Sequence, residues 1–242
     1  MITDRFERQA ALVPQMALAE TAVVVVGVGA VGRQVALQLA SIGLSKMTLV
    51  DFDIVELPNL ATQGYLAADL GRLKVQATAA ECRNRVPVGE DFICEEVPER
   101  ITARRLNAIV SSNCPHSTIV FSCVDSIDTR GNLAQWCMDG SHAQYVPLMV
   151  DGRMLGEVLR CLTCTPDSYE NYKTTLFPES EAMSGRCTAR ATLYAASILA
   201  GLMIHQFTRW LRFGPLDDDL TFALASSELF ATVKAIEITA DN

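Results

Sequence analysis

A run rich in β-branched residues, Thr21 to Val26, passes directly into Gly27-Val28-Gly29-Ala30-Val31-Gly32, and apolar residues then recur at 31, 35, 39 and 42 before Gly43. The run suits a strand buried on both faces, and the recurrence is that of a helix closed by glycine. Met47 to Val50 restores strand character and ends in Asp51. The first fifty residues are therefore a β-α-β unit with a glycine loop between strand and helix. In that setting the first glycine permits the tight turn and the second lets phosphate approach the backbone. The third lets the helix pack closely on the strand, while the helix N-terminus favours an anion. Asp51 follows Gly27 by 24 residues, at a strand end where a carboxylate accepts hydrogen bonds from ribose hydroxyls. A ligand-free glycine turn is the alternative, and the loop alone does not separate NAD, FAD and ATP.

The alternation continues along the chain. The sequence predicts a helix from Leu73 to Arg85, a strand from Phe92 to Val97, a helix from Ala103 to Ser111 and a buried strand from Thr118 to Cys123. Such alternation implies an α/β fold, a Rossmann-like doubly wound and mostly parallel sheet with helices on both faces. Ahead of it, Asp4 to Ala19 has helical spacing interrupted by Pro14. Beyond residue 145 the pattern changes. Strands are expected at Val146 to Asp151 and Glu157 to Cys161 around a turn at Gly152, with a long apolar helix at Ala191 to Phe207. Late strands, antiparallel extensions of the sheet, are expected at Leu220 to Ala225 and Thr232 to Thr239, with Asp217-Asp218-Asp219 as a solvated turn before them. Without a repeat or a Ser/Gly linker, the simplest organisation is one domain over 1–242, with a nucleotide-binding half at about 1–145 and an acceptor and dimer half at about 146–242.

Composition narrows the function classes. Lys plus Arg number 20 against 28 Asp plus Glu, and a formal net charge of -8 argues against a protein that coats nucleic acid. Half of the residues are hydrophobic, which excludes global disorder. The Ala191 to Phe207 stretch carries Ser197, Gly201 and His205 and falls short of the roughly 20 residues of a membrane span, so a buried helix is expected. The opening MITDRFERQA has neither the cationic start nor the apolar core of a secretory signal, and eight cysteines then point to a reducing cytoplasm with free thiols.

The segment after Asp51 is more specific than the glycine loop. Val50-Asp51-Phe52-Asp53-Ile54-Val55-Glu56-Leu57-Pro58-Asn59-Leu60, then Gln63, then Gly71-Arg72-Leu73-Lys74, resembles the ThiF/MoeB family, adenylating proteins related to ubiquitin-activating enzymes. Arg5-Phe6-Glu7-Arg8-Gln9 is similar to the family's N-terminal segment, and Ser122-Cys123-Val124-Asp125 with Arg130 is similar to its D-x-x-D-N-x-x-x-R stretch. The resemblance implies an ATP-dependent enzyme in which a carboxylate attacks the α-phosphate, a meeting of two anions that needs cations and a metal. On this reading Gly27, Gly29 and Gly32 shape the ATP loop and Asp51 binds ribose, with Asp53 and Gln63 of the same run also at the nucleotide. Asn59 and Lys74 contact the phosphates, and Arg130 is a weaker match whose alternative is a solvated helix arginine. Asp125 holds Mg²⁺, and Arg8 is an arginine finger supplied by the second subunit of a homodimer. The implied partner is a small ubiquitin-fold or sulfur-carrier protein, or a peptide, with a C-terminal glycine.

Two features depart from the family. Thr62 stands where the family has a pyrophosphate-contacting arginine, and threonine cannot neutralise charge. Either Arg72 or another cation substitutes, or activity is reduced or lost. Cys161 and Cys164 form a C-x-x-C pair where the family often supplies half of a four-cysteine zinc site, but no cysteine follows Cys187. A closed zinc site needs four ligands, so two ordinary thiols are the competing reading. Cys187, flanked by Arg186 and Arg190 at a helix start, is a candidate nucleophile for a thioester or persulfide step. The arginines binding substrate or solvent beside an inert thiol is the equal alternative. Cys82, Cys94, Cys114, Cys123 and Cys137 are expected to be core residues. Two other function classes stay open: a catalytically silent nucleotide-binding partner subunit, and an NAD-dependent oxidoreductase, which the first fifty residues would serve equally.

Overall fold

The computed structural model describes residues 5–139, 143–178 and 191–233. Pro14, which has no N–H to donate, divides the first expected helix into a 3-10 turn at Glu7–Gln9 and α1 (Gln15–Ala19). The β-α-β unit follows as β1 (Thr21–Val26), α2 (Ala30–Ile42) and β2 (Lys46–Val50). Next come α3 (Leu57–Gln63), α4 (Lys74–Arg83), β3 (Ile93–Val97), α5 (Ala103–Asn113) and β4 (Ser117–Ser122). The second half contributes α6 (Ile127–Met138), β5 (Leu148–Leu155), β6 (Val158–Cys164), α7 (Tyr169–Lys173), α8 (Leu193–Leu211), β7 (Asp217–Ala223) and β8 (Glu228–Val233).

All eight strands form one sheet in the order β3-β2-β1-β4-β5-β6-β7-β8. The first five run parallel, and β6, β7 and β8 continue the sheet antiparallel. Strand alternation divides the valines of β1 between two cores. Val23 and Val25 face α2, α4 and α8, whereas Val24 and Val26 face α5 and α6. Burial on both faces is why this strand reads as continuous apolar sequence rather than an alternating pattern. The chain order reverses between β1 and β4, so the carboxyl ends of those strands open the crevice where ligands bind in such sheets. Among the described residues no helix is long and apolar enough to cross a membrane.

Three expectations are corrected. Gly152 is not a turn but an interior residue of β5 opposite Cys161, and the hairpin turns at Gly156 instead. A Cβ at Gly152 would stand 2.4 Å from Met203 Sδ, so glycine there admits α8 onto the sheet. Asp217 is a buried strand residue that accepts hydrogen bonds from Gln206 and Arg209, not part of a solvated turn. Cys114 is exposed and Cys123 half-buried, whereas Cys82, Cys94 and Cys137 are core as expected.

Among the described glycines Gly32 is the most tightly enclosed, where α2 packs on the turn leaving β1 and a Cβ would lie 1.8 Å from the Gly27 carbonyl oxygen. Backbone cannot yield as a methionine end can. Gly32→Ala is therefore expected to cost more than about 3 kcal/mol, and Gly152→Ala only about 1–2 kcal/mol. Urea unfolding of the two variants checks the order, and equal losses would contradict it.

Candidate functional site

The glycine loop is fixed from below by β2 and β4. Gly27 N–H donates to Val50 O at 2.8 Å, and its φ of 85° holds the turn where a side chain would strike the Cys123 carbonyl. Asp51 closes the other side. Its Oδ2 accepts from Val28 N–H at 2.8 Å and its Oδ1 from Asp53 N–H at 2.9 Å, so the carboxylate is tied to the loop. Gly29 caps α2, and a Cβ there would meet nothing closer than the Gln63 amide at 3.9 Å. Space therefore remains beside the helix N-terminus, where backbone N–H groups favour an anion.

On one flank, α3 and α4 supply the polar groups. Lys74 opens α4, is 7% exposed, and its Nζ lies 2.9 Å from Asp53 Oδ2. Asp53 thus holds the lysine as a charge pair at the head of the helix. Asn59 Oδ1 accepts from Glu56 N–H at 2.9 Å, a cap on the start of α3, whose second residue is Pro58. Gln63 Oε1 is buried without a hydrogen-bond partner. Thr62 donates its hydroxyl hydrogen to Pro58 O at 2.9 Å, and Arg72 pairs with Asp69 at 2.7 Å. Neither offers a free cation.

On the other flank, Asp125 lies exposed beyond β4 with no ion pair among the described residues. A Mg²⁺–nucleotide is bound by one or two carboxylates with phosphate oxygens and water completing the shell, so one open carboxylate beside an anion cradle fits that group. Arg130 is not a solvated arginine. It is 6% exposed, and its guanidinium bonds Asp151, the Gly152 carbonyl and the Val124 carbonyl beside Asp125. Its reach toward the site therefore runs through the loop it holds. Asp151, fully buried, also accepts from Arg153 Nε at 2.8 Å and from Tyr172 at 3.0 Å. Burial opposes its ionisation, but the guanidinium charges of Arg130 and Arg153, with hydrogen bonds from Arg153 and Tyr172, hold its carboxyl below the usual range.

Other expected site residues are not gathered here. Arg8 is exposed in the N-terminal segment, whose Gln9 and Phe6 dock on Ile42 and Gly43 at the C-terminal end of α2. A helix of 13 residues is about 20 Å long, so Arg8 sits a helix length from its own glycine loop. Cys161 and Cys164 lie three residues apart on β6, which turns them to opposite faces and into separate cores. The pair does not present two thiols to one zinc ion. Burial pushes both up, Cys164 to about 12, so both stay protonated at neutral pH. Cys187, with Arg186 and Arg190, lies outside the described residues.

The sequence reading missed Arg33 and Tyr65. Tyr65 O–H donates to Val28 O at 2.6 Å, lies 3.1 Å from Thr78 Oγ1 and 3.5 Å from Lys74 O, and so joins the glycine loop to α4. Arg33 is 2% exposed and lies over the Tyr65 ring at 4.4 Å. No local signal marks either. Position 33 is off the apolar stripe of α2, and only the return of residues 64–65 over the helix buries it.

The fold and the site together define a doubly wound α/β protein with a glycine loop at the head of its first long helix. The chain belongs to the ThiF family, which it matches over residues 5–239. It is 29% identical over 147 residues to the molybdopterin-synthase adenylyltransferase of Haemophilus influenzae, covering 60% of this chain and 56% of that protein. It is 26% identical over 178 residues to the sulfur carrier protein ThiS adenylyltransferase of Escherichia coli, covering 73% and 66%. With ubiquitin-like modifier-activating enzyme 5 of Rattus norvegicus it shares 25% identity over 233 residues, covering 88% and 55%. The chain thus spans between half and two thirds of these relatives. In fold it is similar to the crystal structure of E. coli MccB with ATP, at a TM-score of 0.71 and 18% identity, covering 96% of this chain and 72% of that one.

The Asp151 cluster makes a pH-resolved prediction. Breaking a buried ion pair costs about 3–5 kcal/mol, so Asp151→Asn should lose about that much unfolding free energy at pH 7. Because the folded-state pKa is depressed, the aspartate's contribution is present above its unfolded value of 3.8 and fades as pH falls through the folded one. Denaturant unfolding of both proteins should show the gap at neutral pH and its narrowing below about pH 4.

Proposed function

We propose that the chain is an ATP-dependent adenylyltransferase that activates a carboxylate as an acyl-adenylate. The observation that carries this reading is a buried lysine and an open carboxylate on either side of one glycine loop, Lys74 held by Asp53 and Asp125 beyond β4. A dinucleotide site needs the loop and Asp51; a triphosphate under attack by a second anion needs the flanking charges as well. In the proposed reaction an acceptor carboxylate oxygen bonds to the α-phosphorus, the bond to the β-phosphate bridging oxygen breaks, and pyrophosphate leaves with that oxygen. Lys74 neutralises charge on the α- or β-phosphate while Asp51 holds the ribose, with Asn59 and Gln63 on α3 at the phosphates. Mg²⁺ carried with ATP on Asp125 would supply further neutralisation of the phosphate oxygens.

The acceptor we propose is the C-terminal glycine of a small ubiquitin-fold or sulfur-carrier protein, or of a peptide. The names of the relatives support the first class, and structures of E. coli MccB with MccA support the second. Arg8 would act across a homodimer, since its own loop is a helix length away. Cys187 would then attack the adenylate carbonyl as thiolate and release AMP, leaving a thioester. A cytoplasmic location accords with the free thiols. A silent partner subunit is the second reading, favoured by Thr62, whose hydroxyl is spent on Pro58.

Two measurements test the assignment. ATP–pyrophosphate exchange should appear only with an acceptor ending in glycine, and Asp125→Ala should lower it at least 100-fold without shifting the thermal midpoint; nucleotide binding without exchange for any acceptor would favour the silent subunit. Cys187→Ala should leave exchange intact and abolish acyl transfer, and unchanged transfer would return Cys187 to an inert thiol.

A further inference from the structure

Arg33 is a buried cation without a carboxylate. It is 2% exposed, and among the described residues no Asp or Glu lies within ion-pair distance. Its Nε and Nη2 both donate to one acceptor, the Gly64 carbonyl, at 3.2 and 3.1 Å. Nη1 is buried with no partner. The end of α3 and the Tyr65 face offer only partial negative charge. A full charge held this way is costly to the fold, since no carboxylate among the described residues compensates it.

Its position relates that cost to the site. Arg33 begins the second turn of α2, with its N–H on the Gly29 carbonyl at 3.1 Å. The guanidinium stacks on the ring whose hydroxyl holds Val28 O. It also grips the residue that follows Gln63, at the end of the helix carrying Asn59 and Thr62. Position 62 offers no cation, since Thr62 is neutral, and Arg72, the substitute named above, is paired with Asp69.

We propose that Arg33 is the fixed positive charge of the phosphate site, a positioning residue that acts through Tyr65 and the end of α3 in place of an arginine at position 62. It does not touch the nucleotide. Its field at the glycine loop, in a poorly screened interior, favours a polyanion, and bound phosphates supply the counter-charge that no described carboxylate provides. The inference rests on the proposal that the loop binds ATP.

The signature is a split between stability and affinity, which a purely structural arginine would not give. Isothermal titration of ATP into the full chain, with thermal unfolding of the same samples without nucleotide, should show Arg33→Met binding at least about tenfold more weakly, with a midpoint unchanged or raised. Adding Thr62→Arg to Arg33→Met should return affinity to within about threefold of the parent. Arg33→Gln, smaller and still polar, repeats the measurement if methionine does not fold. Unchanged ATP affinity in the variant overturns the inference alone. So does a loss of affinity that follows a loss of stability and is not repaired by Thr62→Arg. If the parent chain binds no ATP, the nucleotide reading fails first and Arg33 with it.

Discussion

The approach of Gly32 to the Gly27 carbonyl is the constraint on which the rest is built. It brings α2 against β1 without an intervening side chain and sets the helix N-terminus at the crevice. Val28 N–H then meets Asp51, and Val28 O meets Tyr65, so β2 and the α3–α4 segment are each registered to the same loop. Lys74 follows from Tyr65, and Asp53 follows from Lys74. Displacing the loop by the width of one methyl group would loosen each of these bonds in turn.

The carboxylate-paired cations around the loop are of two kinds. Lys74 is paired with a half-exposed carboxylate, so its head of charge stays next to the crevice and its stem is covered. Arg130 and Arg153 are instead committed to Asp151; Arg130 also holds the Val124 carbonyl beside Asp125, and Arg153 ties Asp151 to Thr175. The acidic excess of the whole chain therefore says little about the site. What matters locally is which guanidinium groups are already neutralised.

Much of the fold was legible because its signals are local. A valine run, a glycine loop and a 3.6-residue recurrence give β1 and α2 without tertiary information. The places of Asp51, Lys74 and Asp125 were legible for a related reason: Asp51 follows the end of β2, Lys74 opens α4 and Asp125 lies between β4 and α6, so order along the chain fixes place in space. Gly152 was not, because its role depends on Met203, fifty residues away, and a glycine between two strands otherwise resembles a turn. Asp217 was misplaced because three aspartates suggest solvent, and its partners Gln206 and Arg209 lie on α8. The C-x-x-C spacing leaves zinc or two ordinary thiols open, and parity decides between them. In a loop three residues can bring two thiols together; in β6 they send them to opposite faces.

The N-terminal segment has a consequence for what folding alone can deliver. Gln9 and Phe6 moor it at the far end of α2 from the glycine loop, and Arg5 is engaged there with Arg85 O and Glu90. A single chain, however well ordered, keeps Arg8 away from its own crevice. In the proposed homodimer, whatever that side chain adds to a phosphate site would be a bimolecular quantity, set by concentration and encounter, and dilution would remove it from a protein whose every internal bond is intact.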